Sequence, residues 1–182
     1  MKEVEPGQDR KIAALTYLFH VHFYFIKVMC MIYNDEYFMN IALKEAKKAF
    51  RRNEVPVGAI IVKNEKIIAK GYNKREFGGD VTKHAELIAI KKASRKIKDW
   101  RLNECVMYVT LYPCSMCASA IIQSRMKKIV IGAPCKDLKN TKIVDMIFKD
   151  EKDKSLIEIK DGVLKEECLD IIQEFFRKQR KK

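Results

Sequence analysis

Two short segments of this 182-residue chain contain side chains that bind transition metals and move protons. One reads His84-Ala-Glu86, and the other reads Pro113-Cys114-Ser-Met-Cys117. One imidazole and two thiolates form a three-ligand zinc set that leaves a fourth position open to water. Zinc brings the pKa of a bound water close to neutral, so that hydroxide becomes available as a nucleophile. Glu86, two residues after the histidine, can reach this water without binding the metal, and we predict that it shuttles the proton.

Each segment alone has simpler interpretations. A histidine at the start of a helix is usually a cap or a solvated side chain, and a Cys-x-x-Cys pair is also typical of a redox dithiol. A closed structural zinc site needs a fourth ligand, and neither Cys105 nor Cys135 has an obvious place in the pattern. The combination favours a catalytic zinc site, with a structural zinc site and a redox dithiol as alternatives.

Both segments are expected at helix N-termini, directly after a loop or a strand. Thr82 is a candidate cap for a helix from His84 to about Ile97. Pro113 stands where a second helix begins, and that helix ends near Arg125. A helix N-terminus offers backbone N–H groups and a partial positive charge, which favour a thiolate. Two such ends side by side would bring the histidine and the cysteines to one spot.

The rest of the chain alternates helices and strands from about residue 35. Apolar periodicity predicts two further helices over 35–52 and 164–180, and strands over 57–62, 67–71, 105–111, 128–131 and 156–159. The first two strands form a hairpin, residues 73–81 form a loop, and residues 136–154 match no single element. This order predicts one α/β domain with a mixed five-stranded sheet covered by helices on both faces.

Residues 12–33 are strongly apolar. A membrane-spanning helix needs about 20 apolar residues, and here Lys27, His20 and His22 interrupt the run. No small-x-small cleavage site follows it. We predict that residues 1–30 are an N-terminal extension, either a start-site artefact or a loosely ordered arm, without stable membrane association. A membrane role is the alternative, and the domain is predicted over 31–182.

The composition is that of a globular, basic protein. Hydrophobic residues make up 48% of the chain, and 7 Gly and 4 Pro exclude a low-complexity class. Six cysteines are too few for a disulfide scaffold, which favours a reducing compartment such as the cytoplasm.

The positive charge is concentrated outside the apolar N-terminus. The net charge is +13, and residues 1–34 contain four basic and three acidic side chains, so residues 35–182 carry +12. The last six residues contribute +5. We predict that Arg177, Lys178 and Arg180 contact RNA phosphates, the alternative being a solvated helix end.

The paired motifs resemble the signature of the zinc nucleobase deaminases. The wider sequence is similar to the bacterial tRNA-specific adenosine deaminases over about residues 35–180. The similar segments are Glu54-Val-Pro-Val-Gly-Ala59, Asn73, Asp80-x-Thr82-x-His84-Ala-Glu86, Tyr108-Val-Thr-Leu111, Pro113-Cys-x-Met-Cys117, Glu167-Cys-Leu and Phe175-Phe-Arg177.

The resemblance implies a three-layer α/β/α fold of the cytidine deaminase type, a homodimer, and one zinc ion per subunit. The implied activity is deamination of adenosine to inosine at the wobble position of a tRNA anticodon stem-loop. The residues implied to hold zinc are His84, Cys114 and Cys117, with Glu86 as the proton shuttle. The residues implied to contact the base or its sugar are Asn73, Val55, Pro56 and Ala85.

Two features depart from the family pattern. Tyr112 stands where the family commonly has glutamate, and residues 132–142 lack the glycines that the family has after the fourth strand. A changed loop alters RNA contacts or favours a smaller substrate, so a deaminase of free guanine, cytosine or cytidine is one alternative. A catalytically silent zinc- and RNA-binding subunit is another, although such subunits typically replace the glutamate that is present here as Glu86.

Overall fold

The computed structural model describes residues 34–134, 138–148 and 157–180, and six helices and five strands lie within these ranges. The helices are α1 (Asp35–Arg51), α2 (Arg75–Gly78), α3 (Ala85–Ile97), α4 (Ser115–Gln123), α5 (Leu138–Phe148) and α6 (Lys165–Gln179). The strands are β1 (Gly58–Lys63), β2 (Lys66–Tyr72), β3 (Cys105–Leu111), β4 (Lys128–Ala133) and β5 (Glu158–Lys160). The predicted extension over residues 1–30 lies outside the described residues. None of the described helices has the length and apolar content of a membrane span.

The strands form one mixed sheet in the order β2-β1-β3-β4-β5. β1 pairs antiparallel with both β2 and β3, whereas β3 with β4 and β4 with β5 are parallel pairs. In this register Ile60 of β1 lies between Lys70 of β2 and Tyr108 of β3. The predicted α/β fold with a mixed five-stranded sheet and a leading hairpin is confirmed.

Helices cover both faces of the sheet, as predicted. β1, β3 and β4 contain nearly continuous buried runs, the pattern of strands covered on both sides. Alternate strand residues pack in one cluster with residues of α3, α4 and α5; among them are Ile61, Met107, Ile129, Ala89, Ile121 and Val144. On the opposite face, the Tyr108 ring lies 5.1 Å from the Phe38 ring of α1. These two layers fix the positions of the helix ends at the site described below.

The close approach of α1 to β1 depends on a glycine. A Cβ atom at Gly58 would lie 2.1 Å from the carbonyl oxygen of Ala42 and 2.5 Å from the backbone nitrogen of Ala46. We expect Gly58→Ala to lower the free energy of unfolding by about 2–3 kcal/mol, measured by denaturant titration, because the α1 backbone must move. Gly78→Ala is the control, since its nearest atoms belong to the flexible Lys83 side chain. Equal stability of the two variants would contradict this packing argument.

The segment before α3 differs from the sequence prediction. The expected loop over 73–81 contains the short helix α2. The predicted Thr82 cap is wrong, because both its backbone N–H and its hydroxyl donate to Asp80 Oδ1, at 2.8 and 2.6 Å. An aspartate commonly forms such a local turn with the backbone two residues later. His84 takes the capping position instead, without a side-chain capping hydrogen bond.

The region after the predicted end of β4 also differs. β4 continues through Gly132 to Ala133, because Ala133 pairs with Leu111 of β3 and its carbonyl accepts the Tyr112 N–H at 2.9 Å. Part of the segment that matched no element forms α5, and its Val144 is fully buried. The first residues of α5, 138–142, thus lie within the segment whose sequence departs from the family pattern.

Candidate metal centre and cavity

His84 and Cys114 lie at the starts of two helices on the same face of the sheet. His84 directly precedes α3 and Cys114 directly precedes α4, each with an extended backbone. Cys117 follows in the first turn of α4, so the Cys-x-x-Cys spacing carries its sulfur to the same side as that of Cys114. The predicted convergence of the two helix ends is therefore present in the structure.

The distances between the three side chains match a zinc site. His84 Nδ1 lies 3.6 Å from Cys114 Sγ and 3.5 Å from Cys117 Sγ, and all three ligand atoms lie within 4.8 Å of one another. Zinc–nitrogen bonds of about 2.0–2.1 Å and zinc–sulfur bonds of about 2.3 Å at a tetrahedral angle place N and S about 3.6 Å apart. Within the described ranges this is the only group of its kind, and the free thiols of Cys105 and Cys168 are not part of it. The donor set fits a zinc ion with three protein ligands.

The protonation of the two thiols is coupled. A hydrogen bond from Cys117 lowers the pKa of Cys114 to about 4, although burial opposes this shift. The same hydrogen bond, together with burial, raises the pKa of Cys117. The pKa of His84 is raised, chiefly by its hydrogen bond with Cys114. A bound divalent cation deprotonates its thiol and imidazole ligands, so metal binding at this site releases protons.

Glu86 lies in the first turn of α3, beside the metal-binding group. Its side chain is buried, with 3% of its surface exposed, and burial raises the pKa of its carboxyl. A carboxyl group with a raised pKa can hold a proton nearer to neutral pH than an exposed one. The position and environment of Glu86 suit a group that exchanges a proton with a molecule beside the metal.

A cavity of about 260 Å³ opens onto this group. The predicted site residues that line it are Val55, Asn73, His84, Ala85, Glu86 and Cys114. The cavity is also lined by residues that the sequence did not identify as substrate contacts: Val57, Arg75, Glu76, Leu111 and Tyr112.

Pro56 is buried but does not line the cavity. The Val57 N–H donates to the Val55 carbonyl at 2.8 Å, which makes a tight three-residue turn with Pro56 at its centre. The turn leaves both valines on the cavity wall. The sequence shows the motif but not this turn, as a result of which Val57 and not Pro56 lines the cavity.

Tyr112 connects the cavity wall to α5. Its hydroxyl donates a hydrogen bond to the Asp145 carboxylate of α5. The residue that departs from the family pattern at position 112 is thus hydrogen-bonded to α5, the helix that begins within the second departing segment, residues 132–142.

The basic end of α6 lies against the end of α1. Arg177, Lys178 and Arg180 are exposed, and Lys178 Nζ lies 4.6 Å from the centre of the Phe50 ring. The neighbouring Gln179 side chain donates to Asn53 Oδ1. Asn53 stands two residues before Val55, so these contacts tie the end of α6 to the segment that enters the cavity wall.

Further cations lie near the cavity. The Arg52 guanidinium lies 5.6 Å from the Tyr72 ring and 5.7 Å from the Phe77 ring, and Lys74 Nζ lies 4.7 Å from the Tyr72 ring. Arg75 lines the cavity itself. We call Arg52, Lys74, Arg75, Arg177, Lys178 and Arg180 the basic strip. The sequence showed the charge of the tail but not the packing of Arg52 against the Tyr72 and Phe77 rings.

Comparison with protein families gives a match to the cytidine and deoxycytidylate deaminase zinc-binding region over residues 32–133. Two curated relatives are named tRNA-specific adenosine deaminase. The protein from Buchnera aphidicola subsp. Schizaphis graminum is 46% identical over 146 residues, which are 80% of this chain and 96% of the relative. The protein from Bacillus subtilis is 42% identical over 150 residues, which are 81% of this chain and 92% of the relative.

Solved structures of deaminases are also similar to this chain. A structure from a study of A-to-I editing by tRNA:A34 deaminases is 31% identical, with a TM-score of 0.65 over 74% of this chain and 97% of that one. A guanine deaminase from Bacillus subtilis is 34% identical, with a TM-score of 0.55 over 66% of this chain and 78% of that one. The similarity to the first of these extends over nearly all of the compared protein.

Proposed function

The chain belongs to the zinc-binding cytidine and deoxycytidylate deaminase family, and from this premise we propose that it converts adenosine to inosine at the wobble position of a tRNA anticodon. In this hydrolysis a bond forms between a water oxygen and the amine-bearing carbon of adenine. The bond to the exocyclic nitrogen then breaks, and ammonia leaves. The observation that carries the proposal is the His/Cys/Cys group with Glu86 beside it in a chain that matches tRNA deaminases along almost their whole length.

His84, Cys114 and Cys117 are the proposed zinc ligands. When bound, zinc acts as a Lewis acid that makes water a stronger nucleophile near neutral pH. The chain's own contribution is to hold three donors in place from two helix ends and to leave one side of the group open to the cavity. A redox dithiol explains neither the imidazole at 3.5–3.6 Å from both sulfurs nor the buried glutamate beside them.

Glu86 is the proposed proton carrier. It takes a proton from the attacking water and gives it to the adenine ring nitrogen next to the reacting carbon. It then takes the proton of the new hydroxyl on that carbon and gives it to the departing amine, so that ammonia leaves and a carbonyl oxygen remains. Burial favours the protonated carboxyl, which is the form that must donate. The presence of this residue argues against the silent-subunit alternative.

The target base is proposed to enter the cavity between Val55, Ala85 and Asn73. Val55 and Ala85 offer apolar surface, and Asn73 offers a hydrogen-bonding amide. Pro56 contributes indirectly, since its fixed φ shapes the turn that presents Val55 and Val57. These residues hold the base, whereas the metal ligands and Glu86 act on its amine-bearing carbon.

RNA as the substrate is supported by the basic strip. Neutralising Arg177, Lys178 and Arg180 with glutamine should weaken stem-loop binding and reduce the slope of log affinity against log salt, by about 0.7–0.9 for each phosphate that the variant no longer neutralises. The measurement is a salt titration of binding by fluorescence anisotropy. The matched control neutralises Arg95, Lys96 and Lys98, three cations at the far end of α3 from His84. An unchanged slope in the first variant would leave the tail as a solvated helix end.

The assay that tests the proposed function compares ammonia release from three substrates. They are an anticodon stem-loop with adenosine at the wobble position, cytidine, and guanine. Rapid release from the stem-loop alone supports the proposal. Release from guanine alone would favour the second candidate function, a free-base deaminase. Two observations support this candidate: the likeness to the Bacillus subtilis guanine deaminase and the changed sequence of residues 132–142.

We further propose that the enzyme acts in the cytoplasm as a homodimer. α5 presents two large exposed apolar side chains one turn apart, Ile143 at 51% and Met146 at 74% exposure, as a protein–protein contact would require. Light scattering of the purified chain tests the dimer, and a monomeric mass would reject it.

A further inference from the structure

Glu54 is a buried carboxylate that holds the cavity wall without lining the cavity. Its side chain is 1% exposed. Oε1 accepts the Phe77 N–H at 2.7 Å, and Oε2 accepts the Glu76 N–H at 3.2 Å. Oε2 also accepts from the Asn73 side-chain nitrogen at 3.4 Å. All three donors lie between residues 73 and 77, the segment that carries Asn73 and Glu76 to the cavity.

These contacts fix the orientation of the Asn73 amide. A carboxylate accepts hydrogen bonds and does not donate them, so Glu54 must face the amide nitrogen of Asn73 and not its oxygen. The Asn73 backbone is held as well, because its N–H donates to the Val57 carbonyl at 3.0 Å. Glu54 takes one of the two N–H bonds of the amide, which fixes the plane of the amide and leaves Oδ1 as the acceptor that Asn73 offers to a ligand.

An oxygen in this place requires a hydrogen-bond donor on the substrate. The ring nitrogens of adenosine carry no hydrogen, and its exocyclic amine is the group that leaves. The remaining donor on a nucleotide inside an RNA chain is the ribose 2′-hydroxyl. We infer that Glu54 positions Asn73 so that its Oδ1 accepts a hydrogen bond from the 2′-hydroxyl of the target nucleotide, which makes this pair a determinant of RNA specificity. This inference rests on the proposed function.

The test uses two anticodon stem-loops that differ only at the target sugar. One carries adenosine and the other carries 2′-fluoro-adenosine, in which fluorine can accept a hydrogen bond but cannot donate one. The wild-type chain should prefer the hydroxyl substrate by about tenfold in kcat/KM, mostly through KM. Glu54→Gln replaces one acceptor oxygen with an NH₂ group, which leaves at least one of the three N–H donors without its acceptor and loosens the hold on the Asn73 amide. The preference should then fall to about onefold.

The matched control is Glu45→Gln. Glu45 is also a buried glutamate, at 4% exposure, but it lies on α1, pairs with Lys48 at 2.6 Å and does not line the cavity. This variant should keep the tenfold preference, whereas a purely structural role of Glu54 predicts that Glu54→Gln keeps it too, at lower overall activity. If Glu54→Gln does not fold, Asn73→Ala decides, because a variant without the amide that still prefers the hydroxyl overturns the inference. A wild-type chain that deaminates both substrates equally rejects the inference alone, and one that deaminates neither rejects the proposed function.

Discussion

Replacing Glu86 with glutamine should lower kcat for the anticodon stem-loop by about 10³- to 10⁴-fold while leaving KM nearly unchanged. Glutamine has the same shape and fills the same buried space, but it neither takes a proton from water nor gives one to the base. Ammonia release under saturating substrate measures kcat. Metal analysis of the same sample should still find about one zinc per chain, because Glu86 is not a proposed ligand.

The control for this variant is Glu76→Gln. Glu76 also lines the cavity, but its side chain is 74% exposed, unlike that of Glu86. Its activity should stay within a few-fold of wild type. Full activity in Glu86→Gln would remove Glu86 from the mechanism, and loss of zinc in that variant would show that the glutamate is part of the ligand set.

The segments that bear the site chemistry could be found from the sequence because their geometry is local. His84 and Glu86 are two residues apart, and Cys114 and Cys117 are three apart, so each pair is placed by the start of one helix. The strands could also be predicted from the sequence. A short continuous apolar run such as Gly58–Lys63 is typical of a strand that is covered by helices on both faces of the sheet. What joins these local pieces is only the packing of α3 and α4 on one face.

The features that the sequence did not reveal depend on contacts between distant residues. Glu54 meets its backbone donors 22 and 23 residues later, and Tyr112 meets Asp145 33 residues later. No periodicity encodes such pairs, since they arise only when the sheet and its helices have assembled. Thr82 does not cap α3 for a different reason: threonine is a common capping residue, but here its hydroxyl and backbone N–H both donate to the nearby Asp80 carboxylate.

The role of the basic C-terminal tail follows from its contacts and not from its charge alone. A net +5 over the last six residues is compatible with a solvated helix end. The contacts of Lys178 with Phe50 and of Gln179 with Asn53 place the end of α6 against the segment that leads to Val55. This position beside the cavity wall favours a role of the tail in holding RNA phosphates.

Replacing Cys117 with serine should reduce zinc from about one ion per chain to nearly none and abolish ammonia release. The serine hydroxyl does not ionise near neutral pH and is a poor zinc ligand, and two remaining donors do not hold the ion in a fixed geometry. Metal analysis after dialysis measures the loss. A chelator gives a second readout, since metal bound at 100 times its Kd stabilises the folded chain by about 2.7 kcal/mol. The chelator should therefore lower the melting temperature of the wild type and leave that of Cys117→Ser unchanged.

Cys105→Ala separates ligation from the general cost of losing a buried thiol. Cys105 is fully buried but lies outside the group formed by His84, Cys114 and Cys117, so its replacement should leave zinc content and the chelator shift intact. His84→Ala should reproduce the zinc loss from the other helix, which tests whether α3 and α4 serve one ion.

In the wild type, zinc must displace the proton of the Cys117 thiol, and the pKa of this thiol is raised. Zinc affinity should therefore fall as the pH falls. An active Cys117→Ser protein with a full complement of zinc would reject this ligand set, because the remaining described cysteines are too far from the group to replace the lost sulfur.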